Sequence, residues 1–167
     1  MKDLDFSLSN NKFKPIEIIE KISESNNWNY QRVLNNKINI VAQGVWHNYS
    51  LEINYSEKND ILDLYCFFDL SICIKKQLNF LKLLNIVNRE NLNGTFIYFF
   101  ETNILIFKKK LSEISDNDNF KRDISDTINK IIFICDRFYP AFQIVSWTNE
   151  LPENAINLAF DSTMGSA

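Results

Sequence analysis

Glycine is scarce in this chain, with three in 167 residues: Gly44, Gly94 and Gly165. No glycine-rich loop can be built from them, which excludes phosphate cradles of the Walker or dinucleotide kind. Histidine is scarcer still. His47 stands alone, so any Ser-His-Asp or Cys-His arrangement would have to use it. It follows Trp46 in an alternating stretch and reads as a partly buried strand residue. The three cysteines, Cys66, Cys73 and Cys135, form no CxxC pair. Their odd number argues against a disulfide framework and fits a reduced cytoplasm. A zinc cage needs four Cys or His ligands, and these three cysteines and one histidine lie at irregular separations. No metal and no cofactor are expected.

Long apolar runs are missing as well. None approaches the ~20 residues of a membrane span. The first residues, "MKDLDFSLSNNKF", carry acids and no continuous apolar core, so no secretory signal is expected. A net charge of −3 lacks the basic footprint that nucleic acid or an anionic membrane requires. The acids form no recognisable site either. "DNDNF", from Asp116 to Phe120, has no downstream glutamate in register for a calcium loop. It reads as a helix N-cap. Asp63 and Asp69 on one strand stand too far apart, at ~3.3 Å per residue, to share a proton. "KKK", Lys108 to Lys110, reads as a solvated charge run at a strand end. No catalytic residue is assigned.

What the chain does have is enough apolar content, 46%, for a folded core. Residues 1–13 read as a flexible arm and 14–167 as a single α+β domain. Pro15 suits a first helical turn, and Ile16, Ile19 and Ile22 recur at helical spacing to about Ser25. Alternation takes over next. "NYQRVL", "KINIVA", "HNYSLEINY" and "ILDLYCFFDL" predict an antiparallel meander of three or four strands. Its apolar faces are Ile38, Ile40 and Ala42, then Tyr49, Leu51, Ile53 and Tyr55, then Leu62, Leu64, Cys66, Phe68 and Leu70. A second helix is expected from Lys76 to Asn91 through Leu78, Leu81, Leu84 and Val87, stopped at Asn93-Gly94. "TFIYFFE" and "NILIFKKK" read as a hairpin. Pro152 opens a last short helix through Ala155, Leu158 and Ala159. This segregation of strands and helices argues α+β with an antiparallel sheet, and against a doubly wound fold.

The segment "DRFYPAFQIVSW" poses a local conflict, because Pro140 lies inside it. Ile124, Ile128, Ile131, Cys135, Phe138, Phe142 and Val145 are spaced 4, 3, 4, 3, 4, 3. The phase does not slip across the proline, which predicts one kinked but continuous helix from Asp118 to Trp147. Phe133, Ile144 and Trp147 fall on the side of Pro140, opposite that stripe. An ordinary surface helix is polar there. Phe133, Pro140, Ile144 and Trp147 are therefore the candidate protein interface. Self-association as a twofold dimer is its simplest closed use, and the last helix, around Leu158, is the competing cover.

"QGVWHNYSLEINY", "CFFDL" and above all "CDRFYPAFQIVSW" followed by a short helix resemble the YbjN family of bacterial proteins, over nearly all of the chain after the arm. The resemblance implies a fold like that of type III secretion chaperones, a regulatory or chaperone-like role and no known catalytic residues. This chain departs from the family picture in having "TNE" after the tryptophan and Leu151 before the last proline. The expected function is a non-enzymatic, cytoplasmic protein-binding module, with a homodimer and an unidentified protein as partners. The alternative is an enzyme with an unrecognised carboxylate or lysine site. A polar pocket with strongly shifted groups would favour the enzyme, and a grooved apolar surface the module.

Overall fold

The computed structural model describes residues 13–112, 114 and 118–164. The expected arm up to residue 12 and the expected cap at Asp116 lie outside them. Phe13, the last residue of that arm, sets its ring edge-on to Phe120 at 5.2 Å.

Four strands follow a first helix, α1 (Pro15–Ser25): β1 (Asn29–Leu34), β2 (Lys37–Gln43), β3 (Asn48–Ser56) and β4 (Ile61–Phe68). A 3-10 turn (Ile74–Lys76) leads into α2 (Gln77–Val87), and the hairpin β5 (Thr95–Phe99) and β6 (Ile104–Ser112) comes next. Two helices, α3 (Asp118–Trp147) and α4 (Pro152–Met164), complete the fold. The strands form one antiparallel sheet in the order β1-β2-β3-β4-β6-β5. The fold is α+β, as the sequence predicts.

Register turns alternation into a core. Ile40 pairs with Leu51, Leu51 with Cys66, Cys66 with Phe107 and Phe107 with Phe96. All five side chains of this cross-sheet row are buried. α3 lies over it, and the Cys135 thiol donates to Cys66 Sγ at 3.5 Å. Every residue of the predicted stripe from Ile124 to Val145 is buried, and the helix is continuous through Pro140. The opposite sheet face carries Asn39, Glu52, Asn54 and Asp63, as expected when one side of an antiparallel sheet meets water.

Scarce glycine leaves the left-handed turns to other residues. Asn27, Asp60, Asn93 and Asn103 have φ of 55°, 52°, 52° and 53°. Asparagine and aspartate tolerate this region best among residues with a Cβ. Gly44 and Gly94 serve close approach instead. A Cβ on Gly44 would stand 2.4 Å from the Tyr49 ring and 2.6 Å from an Asp136 oxygen. On Gly94 it would stand 2.3 Å from the buried Phe107 ring.

Three expectations need correction. The second helix ends at Val87, not Asn91, because Asn88 leaves it to bond both backbone groups of Phe96 at 2.9 Å. Its inward face is Phe80, Leu83, Leu84 and Val87, with Leu78 exposed. Apolar residues nearly encircle this helix, and the larger Phe80 ring wins the core by packing on Tyr98 and Phe142, at 5.4 and 5.7 Å. Lys108 to Lys110 do not end a strand. β6 runs on to Ser112, and Lys109 lies in phase with the inward-facing Leu105 and Phe107.

Candidate functional site

The densest polar arrangement centres on Asp136, halfway along α3. Its carboxylate accepts from Val45 N–H at 2.8 Å, Trp46 N–H at 3.3 Å and the Tyr49 hydroxyl at 2.9 Å. Val45 and Trp46 belong to the β2–β3 turn and Tyr49 to the start of β3; the turn also closes on itself through Gly44 N–H to the His47 carbonyl at 2.8 Å. The absent Cβ of Gly44 lets the carboxylate in. The clamp leaves Val45 81% exposed and Trp46 half-exposed at the tip. His47 sits one residue before β3 rather than inside it. It is half-buried and stacks on Tyr139, 5.6 Å between centroids and 6° between planes.

Neighbours of Asp136 in the segment Asp136–Pro140 fasten other parts of the fold. Arg137 pairs with Glu90 at 3.0 Å and lies over the rings of Phe138 and Phe160, at 5.1 and 4.9 Å. It thereby links α3 to the segment after α2 and to α4. Phe138 enters the core, and Tyr139 packs against Phe68 of β4. The two stretches that carried the family resemblance, around Gly44–Tyr49 and around Asp136–Pro140, thus meet in space. Sequence reasoning missed the Asp136 clamp, since ninety residues separate acceptor and donors. The only signal was that both stretches stood out together.

Phe133 and Trp147 are 69% and 68% exposed, while Pro140 and Ile144 are half-buried. α4 packs on α3 through Ala155, Ala159 and Phe160, and leaves Leu158 half-exposed. It does not cover Phe133 or Trp147. The four candidates share a helical side but do not form a compact cluster. At 1.5 Å per residue, Phe133 and Trp147 stand about 21 Å apart along the axis. The C-terminal end is held by Lys76, whose ammonium donates to the Thr148 carbonyl and to Asn149 Oδ1 at 3.3 Å. A cation there also suits the helix dipole.

A large hollow of about 580 Å³ lies between α1 and the β3–β4 turn, lined by Lys14, Glu17, Arg32 and Tyr55 among others. Several of its charges are spent locally. Glu17 accepts from Lys14 at 3.0 Å, which holds its carboxyl below the usual range. Arg32 donates twice to Glu20 at 2.6 Å. Among the described residues, no three Cys, His, Asp or Glu side chains group to hold a metal. No described helix is long and apolar enough to cross a membrane.

Tyr49 is strongly perturbed. Burial, then the Asp136 charge, then the hydrogen bond to it, push its phenol far up. An unfolded tyrosine titrates near ~10. Above that pH the folded state keeps a proton that the unfolded state releases, so this stability is present below pH ~10 and lost above it. The buried Cys135 thiol, raised chiefly by burial, acts with the same sign. The urea midpoint is expected to fall between pH 9.5 and 11, with a slope from Tyr49 of at most about 1.4 kcal/mol per pH unit. Tyr49→Phe should start from a lower midpoint and show a shallower slope, with Cys135 supplying part of what remains. An unchanged slope would remove Tyr49 as its source.

No curated protein matches this chain. A family described as "Putative bacterial sensory transduction regulator", the YbjN family, matches residues 15–143. That covers most of the chain, from α1 through Pro140, and leaves the end of α3 and all of α4 outside. The chain belongs to the YbjN family.

Proposed function

We propose that this chain is a non-enzymatic, cytoplasmic protein-binding module, a regulatory adaptor that works chaperone-like by presenting apolar surface. Membership of a regulator family supports the regulatory part. The observation that carries the binding part is the outer side of α3, where Phe133 and Trp147 face water with α4 already in place. Three of the charges around the large hollow, Lys14, Glu17 and Arg32, are spent in local ion pairs, which fits binding better than proton transfer.

Self-association through the Trp147 end is the simplest use of that surface. Full burial of a large apolar side chain contributes about 1.5–3 kcal/mol. Trp147→Ala is therefore expected to weaken dimerisation by roughly tenfold or more. Stability of the separated chain should change by no more than about 0.5 kcal/mol, as for other exposed sites. Light scattering across a dilution series, with thermal denaturation of the same variant, reads both. A wild-type chain that stays monomeric at high concentration, with a variant whose melting point drops, would sink the interface reading.

A further inference from the structure

The other end of the α3 surface holds a second feature. β5 pairs with β6 only as far as Thr95 with Lys108. Before Thr95 the chain turns away at Asn93, with φ 52°. Lys109 to Ser112 therefore run on beyond the end of β5, beneath the N-terminal half of α3. A hollow of about 260 Å³ opens there, with Leu92, Leu111, Phe133 and Ile134 among its apolar walls. Two lysines also line it, Lys109 from β6 and Lys130 from α3.

Lys109 is the oddity. It occupies a strand position in phase with buried Leu105 and Phe107, opposite buried Leu64. Among the described residues no carboxylate lies within ion-pair distance of Lys109 or Lys130. Partial burial, and then the charge of Lys130, hold the Lys109 ammonium below its ordinary range. Its charge opposes folding here, and a methionine of similar length would fit the same walls. Stability given up at one position is a recurrent cost of function.

We propose that this hollow docks a segment of a partner protein that carries one large apolar side chain flanked by carboxylates. The apolar side chain enters between Leu111, Phe133 and Ile134, and the carboxylates pair with Lys109 and Lys130. This deepens the protein-binding reading and rests on it. The volume sits just under the range usual for small-molecule sites, about 300–1,000 Å³, and suits a single side-chain anchor. The chain's overall net charge of −3 does not oppose such a partner at close range, because charges beyond about 8–10 Å are screened at physiological salt.

The test is a display selection of random twelve-residue peptides against the full chain, followed by titration of fluorescein-labelled winners. Recovered peptides should combine Leu, Phe or Trp with neighbouring Asp or Glu. Their binding should weaken at least about tenfold in the Lys109→Met, Lys130→Gln double variant and fall with added sodium chloride. The exposed control Lys21→Gln should bind as wild type. Lys109→Met alone should raise the melting temperature, which separates loss of binding from loss of fold. A fall in melting temperature would show a stabilising role for the charge and count against the site. Winners that bind the double variant normally would remove this groove while leaving the protein-binding reading intact. Recovery of no peptide would overturn the groove, above all if decanoate then bound through the same lysines. The Trp147→Ala light-scattering result would still judge the broader reading separately.

Discussion

Replacing Asp136 by alanine is expected to lower the unfolding free energy by about 2–4 kcal/mol, the largest effect of any polar substitution in the chain. The Tyr49 side chain is fully buried, and its hydroxyl donates to Asp136. Without the carboxylate that donor has no acceptor, at a cost of about 1–3 kcal/mol. The Val45 and Trp46 N–H groups lie near the surface. Water can replace the carboxylate for them, so they add less. Asparagine should cost roughly half as much. Its oxygen can serve Trp46 and Tyr49 where Oδ1 now does, but its amide nitrogen would face the Val45 N–H, donor against donor. Chemical denaturation gives the free energies, and amide exchange at Val45 and Trp46 shows whether the turn has loosened. Equal losses in the alanine and asparagine variants would mean that the carboxylate's geometry is not what holds this turn.

The clamp also explains where the sequence was legible and where it was not. Period-two alternation fixes which side of a strand meets the core, so Ile38, Leu51 and Cys66 could be read directly. A stripe that keeps phase across Pro140 fixes a helix in the same way. Both are one-dimensional signals carried by neighbours in the chain. In α2 the expected stripe is right at Leu84 and Val87 but wrong at Leu78, because apolar residues nearly surround the helix and periodicity alone offers two solutions. Lys109 looks solvated because a lysine run ordinarily is, and its inward phase shows only once β6 is seen to run on past it, in register with Leu64. Asp136 gives no local sign of its role, because its partners arrive from the β2–β3 turn and the start of β3. Outer-face residues were identified by phase, yet their 21 Å spread was not, since a helical wheel discards distance along the axis.

Phe142 is expected to show the largest apolar effect, about 3–5 kcal/mol on truncation to alanine. Its buried ring meets Phe68 at 5.7 Å, Phe80 at 5.7 Å, Phe96 at 5.0 Å and Phe138 at 6.4 Å. Those rings come from β4, α2, β5 and α3, so one side chain joins the sheet to two helices just past the proline. Its removal leaves a cavity that no neighbour fills easily, because the surrounding rings are themselves locked edge to face. Trp147 lies little more than one turn further along the same helix and is larger, yet its truncation should hardly move the melting curve. Size and hydrophobicity do not separate these two residues; the direction set by 100° per residue does. Thermal denaturation of Phe142→Ala beside Trp147→Ala therefore tests the helical phase itself. A marked loss in both would show that the C-terminal end of α3 is packed all round. The apolar surface on which the binding role depends would then be core.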